Sequence, residues 1–171
     1  MMTRLRRILD GGVGYSACLI LMAMVAVLVW QVFSRYVLNA PSTSSEELLR
    51  YGMIWSSLLG AAFAAGRGTH MSVELLPGMA PPRVRRLLGL LVPLSFIVFA
   101  VAVLIIGGFR AVSVAGTQTS PVMQIPMQWV YAAMPVSGLL IVIYSLLNLV
   151  ERIAGRRDEA DEFEKALAAG D

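Results

Sequence analysis

Four stretches of this chain carry no charged residue: 11–34, 51–66, 87–109 and 111–150. A bilayer core about 30 Å thick takes roughly 20 apolar residues to cross as a helix. The first and third stretches each supply one crossing. The last holds a polar linker, AGTQTSPVMQIP, and then one more crossing from about Met127. The second is short, so its helix must borrow length from the charged turn before it. Composition agrees: 57% of the 171 residues are hydrophobic and 15% charged, whereas soluble domains carry about a quarter charged. The sequence predicts an all-α integral membrane protein with four transmembrane helices, at about 12–34, 48–66, 87–109 and 127–150. There is room for a short interfacial helix before the second span. Residues 151–171 form a tail, and the whole reads as a single membrane domain.

The charges left over write the topology. Eleven lysines and arginines fall on one side of the spans: Arg4, Arg6, Arg7, Arg67, Arg83, Arg85, Arg86, Arg152, Arg156, Arg157 and Lys165. Three fall on the other: Arg35, Arg50 and Arg110. Basic residues concentrate in cytoplasmic loops, so both termini are expected in the cytoplasm. These cations flank apolar segments, and nothing in their placement points to nucleic acid. The opening MMTRLRR precedes an apolar run too long for an ordinary secretion signal and followed by no small-residue cleavage site, so the run is expected to stay as the first membrane helix. Trp30, Trp55 and Trp129 fall toward the outer helix ends, where an amphipathic ring suits the interface. With Arg35 and Arg67 they are the expected interfacial anchors.

Chemistry is thin along the spans. Ionisable groups deep in a membrane are costly and mark ion or substrate pathways, and none lies near the centre of any span. A carrier working alone would be expected to show an embedded acid or a broken helix. Pro93 and Pro135 read as ordinary kinks in the third and fourth helices. His70 is the only histidine; with Glu74 it offers two ligands where zinc wants three or four, so no metal site is expected. No nucleophile–base pair and no phosphate-binding glycine loop is present, so neither an enzyme nor a cofactor is expected.

What the spans offer is packing. Ser56, Gly60 and Ala64 recur every four residues on the second span, as do Ser57, Ala61 and Ala65. Small residues at that spacing let helices approach closely in lipid, either within this chain or against a partner. Ahead of them, Thr43 or Ser44 can cap the helix, with Glu46 or Glu47 completing a capping box. Glu46 and Arg50 stand at the favourable acid-first spacing for a side-chain pair. That turn can cap and anchor the helix, or it can meet a partner together with Arg110.

The order of motifs then suggests a family. F-S-R-Y at 33–36, a Pro-Ser turn, E-E-L-x-R at 46–50, Trp55, L-G-A-A at 59–62, R-G-x-H-x-x-V-x-L at 67–75 and I-P-x-x-W-x-Y-A-x-x-P at 125–135 follow one another along the chain. Together with four crossings they resemble the DctQ-like small membrane subunit of tripartite ATP-independent periplasmic (TRAP) transporters. The resemblance runs from about residue 10 to 150; it departs where the family often has a tryptophan before the acidic pair, since Ser44 and Ser45 stand there. It implies a multi-pass protein of a bacterial or archaeal cytoplasmic membrane, working beside a large M-type transport subunit. An extracytoplasmic solute-binding protein would deliver an organic acid, and a sodium gradient would drive uptake. The small subunit would bind no substrate and brace the large one. The rival expectation is a small channel or carrier that is self-sufficient as an oligomer.

Overall fold

The computed structural model describes residues 2–67 and 82–153. Helix α1 spans Met2–Tyr36, and a short turn leads to α2, Thr43–Arg67. The third crossing begins as α3 (Pro82–Phe99), continues through a π-helical stretch (Ala100–Gly107) and α4 (Gly108–Val114), and closes in a 3-10 turn, Ala115–Thr117. After a hairpin, the short α5 (Gln128–Tyr131) leads into α6, Ala133–Ile153. Four helical segments are long and apolar enough to cross a membrane: Arg6–Tyr36, Thr43–Arg67, Leu90–Thr117 and Gln128–Glu151. No separate helix stands between α1 and α2, because α2 itself starts at Thr43. The extra length that the second uncharged stretch lacked is therefore part of one continuous helix. His70, Glu74 and the tail after Ile153 lie outside the described residues.

The crossings lie in a row. α1 packs on α2, α2 on α6, and α6 on α3 with its π-helical continuation. Gly14 meets the Phe63 ring and Gly52 meets Met24, so α1 and α2 run antiparallel. Contacts of Gly66 with Tyr144 in α6 and of Trp55 with Trp129 in α5 make α2 parallel to the last crossing. Gly108 against Pro135, and Gly138 against Leu104, set the third crossing antiparallel to α6. The start of α1 and the ends of α2 and α6 thus share one end of the row, the termini end. Residues 37–42 and the hairpin share the other.

Such a row has a small core. Ala62 and Ala65 of α2, Ile141 of α6, and Ala100 and Leu104 of the π-helical stretch form it. In lipid, close fit rather than exclusion of water holds helices together, and glycines set the fit. A methyl added at Gly66 would lie 2.5 Å from the Tyr144 ring, and one at Gly138 would lie 2.8 Å from Leu104 and 3.3 Å from the Ala100 carbonyl. The π-helical turns, widened by bonding to the fifth residue, therefore sit where the third crossing meets Gly138. Pro135 explains the step between α5 and α6. Without an amide hydrogen it cannot bond the Tyr131 carbonyl, and the chain turns at Ala132 before the ladder resumes with Val136 N–H donating to Ala132 O at 3.2 Å.

Candidate functional site

At the hairpin end, residues 118–127 fold back on themselves. The Met127 amide donates to the Gln118 carbonyl and the Ser120 amide to the Ile125 carbonyl, both at 2.9 Å. The Ile125 amide also donates to Ser120 Oγ at 3.1 Å, and Thr119 and Pro126 form a single antiparallel bridge. The turn closes with Gln124 at φ 55°, in the left-handed region that non-glycine residues seldom enter.

Glu47 holds this hairpin to α2. Its Oε2 accepts the amides of Met123 at 2.8 Å and Val122 at 3.2 Å, and its Oε1 accepts the Tyr51 hydroxyl at 2.7 Å. Only 7% of Glu47 is exposed. Burying a carboxylate is tolerable when its lone pairs are filled by donors, and here three are supplied by the chain itself. The helix cap lies elsewhere than expected. Ser42 Oγ accepts the Ser45 amide at 3.4 Å and pairs with Ser45 Oγ at 2.8 Å, so the cap precedes Thr43 and Glu47 completes no capping box. The side chain is drawn away by two hairpin amides that local sequence does not reveal.

The neighbouring charges behave differently. Glu46, Arg50 and Arg110 are exposed, and the expected Glu46–Arg50 pair is not formed among the described residues. Arg35 is exposed as well. Trp55 donates its indole N–H to the Trp129 carbonyl at 3.2 Å, joining α2 to the start of the last crossing, while Trp30 stacks at a tilt on Phe33. At the opposite end Arg67 lies 4.5 Å above the Phe63 ring, a cation–π contact.

The small-residue stripes divide. Ala65 is buried in the core, Ser56, Gly60 and Ala64 are half-buried, and Ser57 and Ala61 are exposed. A methyl added at Gly60 would meet nothing within 4 Å. The stripe that packs inside the chain is Leu59, Ala62, Ala65 and Gly66. The Ser57–Gly60–Ala61 surface is left open.

A second polar cluster closes the termini end. The Arg6 guanidinium pairs with Glu151 and donates to the Gly66 carbonyl at 2.8 Å, and Asn148 Nδ2 donates to the Ala65 carbonyl at 3.0 Å. Two of the unsatisfied carbonyls that end every helix are thus capped on α2 from α1 and α6. Asp10 Oδ1, Tyr144 OH and Asn148 Oδ1 are buried with no hydrogen-bond partner among the described residues. Sequence reading passed over Asp10, Tyr144 and Glu151. The signal was there in spacing: Asp10 stands four residues from Arg6, and Tyr144, Asn148 and Glu151 share one helix face at i, i+4 and i+7.

No group of three metal-ligating side chains occurs among the described residues. What both clusters do is tie helices together. Comparison with known proteins gives that arrangement its context. The family model for tripartite ATP-independent periplasmic transporters, DctQ component, matches residues 24–155. The sialic acid TRAP transporter small permease protein SiaQ of Vibrio cholerae is 30% identical over 136 residues, covering 78% of each chain. The sialic acid TRAP transporter permease protein SiaT of Haemophilus influenzae is 28% identical over 121 residues, which are 70% of this chain and 19% of that one. The isethionate TRAP transporter permease protein DctMQ of Oleidesulfovibrio alaskensis is 26% identical over 147 residues, 81% of this chain and 23% of the relative. In the last two, the matched region is a minor part of a longer permease chain. With its four apolar helices, this multi-pass membrane protein belongs to the DctQ family, the small permease component of TRAP transporters.

Proposed function

We propose that this chain is the non-catalytic brace of a sodium-driven TRAP transporter for an organic acid, holding a large M-type subunit in the membrane. The observation that carries the reading is the pair of relatives in which the matched region is about a fifth of a longer permease. A segment joined to a permease in one chain is placed to work against it when the two are separate. The uncharged spans support the same division of labour, since substrate and ion paths need polar groups at membrane depth. Sialic acid and isethionate, named for the relatives, are both small organic acids, and a substrate of that class is the reading for this chain.

Both termini face the cytoplasm in this account, by the excess of arginine and lysine at the termini end. The hairpin end then faces outward, with exposed Glu46 and Arg110 available to a docking solute-binding protein. The open Ser57–Gly60–Ala61 surface of α2 is assigned to the large subunit, because small residues admit a second helix closely. Removing this chain while the large subunit still inserts should abolish uptake of the organic acid in cells. Uptake at the normal rate would overturn the brace.

A further inference from the structure

Between the first turns of α2, the hairpin and the start of the last crossing lies a groove of about 610 Å³. Its lining changes character with depth. Arg50, Gln118 and Thr119 stand at the hairpin end, whereas Ile54, one helical turn or about 6 Å further along α2, and Val130 form its deeper wall. Tyr131 lies beside Val130 in the same wall. The tryptophans mark the level: Trp55 and Trp129 are joined by a hydrogen bond within a turn of this wall, and tryptophan favours the headgroup boundary of a bilayer. Arg50 is exposed and makes no ion pair among the described residues. Neither Glu46 nor Glu47 lines the groove.

A soluble anion would suit Arg50 but leave the apolar wall bare. A carboxylate on a docked protein would reach only the mouth. A ligand that is both anionic and apolar, and present at high concentration at this depth, matches the whole lining. We propose that the groove seats one anionic phospholipid of the adjoining leaflet, with its phosphate on Arg50 and one acyl chain along Ile54. Guanidinium pairs with phosphate through two parallel hydrogen bonds. The Gln118 amide adds a neutral donor beside it. The volume is that of a small-molecule pocket, so the second acyl chain lies against the surrounding bilayer. The site does not depend on the bracing role proposed above, nor on which face of the membrane the hairpin occupies.

The test titrates delipidated full-length protein in detergent with phosphatidylglycerol, or with diacylglycerol of the same chains, and reads retention by native mass spectrometry with no binding protein present. Wild type should keep one phosphatidylglycerol under conditions that strip diacylglycerol. Arg50→Gln should lower that retention roughly tenfold, the worth of one charge-assisted contact. Ile54→Trp, which fills the deeper wall, should lower it as well. Arg110→Gln, an exposed arginine outside the groove, should leave it unchanged. Equal retention by wild type and Arg50→Gln overturns the proposal, as does an equal loss in Arg110→Gln or diacylglycerol held as firmly as phosphatidylglycerol. If Arg50→Gln keeps its lipid and, in a separate pull-down, weakens capture of the solute-binding protein, the groove belongs to a protein carboxylate and the lipid site is refuted.

Discussion

The Glu47 carboxylate accepts the Met123 amide at 2.8 Å across 76 residues of chain. One side chain at the start of the second crossing thereby fixes the hairpin that precedes the last. Glu47→Ala removes both oxygens, so the Val122 and Met123 amides and the Tyr51 hydroxyl all lose their acceptor. Amide exchange at Val122 and Met123, followed by mass spectrometry in detergent, should accelerate by roughly tenfold or more. Glu46→Gln, at an exposed neighbour, should leave it unchanged. Equal acceleration in the two variants would show that Glu47 does not hold the hairpin.

Gly66 and Gly60 lie six residues apart in α2 and should respond oppositely. Gly66→Ala pushes a methyl into the Tyr144 ring and should cost about 1–3 kcal/mol of stability, the usual range for overpacking. Gly60→Ala meets open space and should be neutral or gain roughly 0.5–1 kcal/mol, because alanine is the better helix former. Thermal unfolding of the isolated chain checks both.

Gly60→Leu separates fold from assembly. The isolated chain should melt close to wild type, since a Cβ at this position points into open space. Co-purification with the large subunit from mild detergent should fall severalfold if the open surface is the shared one. Unchanged co-purification would move the interface to another helix.

At the termini end, Arg6 and Glu151 should be coupled. A double-mutant cycle with Arg6→Gln and Glu151→Gln should give an interaction of roughly 0.5–3 kcal/mol in thermal stability, because the pair is largely shielded, with 22% and 18% of the side chains exposed. Arg6→Gln alone should cost more than Glu151→Gln, since it also uncaps the Gly66 carbonyl.

Docking on the hairpin end should be electrostatic and therefore sensitive to salt. Charge reversal at Glu46 and Arg110 together should weaken capture of the solute-binding protein while leaving assembly with the large subunit intact, and the difference should shrink as salt shortens the Debye length below about 10 Å. A loss that persists in high salt would point to a structural defect instead.

The four crossings were legible because bilayer thickness fixes the length of an uncharged run and leaves little else to specify. Trp55 and Trp129 are expected at the interface for the same reason, but the hydrogen bond that joins them is not visible in the sequence. Local pattern misplaced the cap of α2, since Glu47 three residues after Ser44 satisfies the capping rule while its true donors lie at Val122 and Met123. The small-residue spacing marked a face of α2, yet of its six residues only Ala65 is buried inside the chain. Ala62, Ala65 and Gly66 face Tyr144 and Ile141 because α2 sits mid-row, and nothing in the second span alone says which neighbours it will have. Asp10, Tyr144 and Glu151 escaped notice because each is unremarkable until three helix ends meet.

The central claim is that this chain carries no substrate yet is required by the subunit that does. Its direct test is uptake of the labelled organic acid into proteoliposomes under an imposed sodium gradient, with the solute-binding protein supplied outside. Three preparations are needed: the large subunit alone, this chain alone, and the two together. The account predicts transport only in the combined preparation. Flux with this chain alone, or equal flux with the large subunit alone and with the pair, would contradict it.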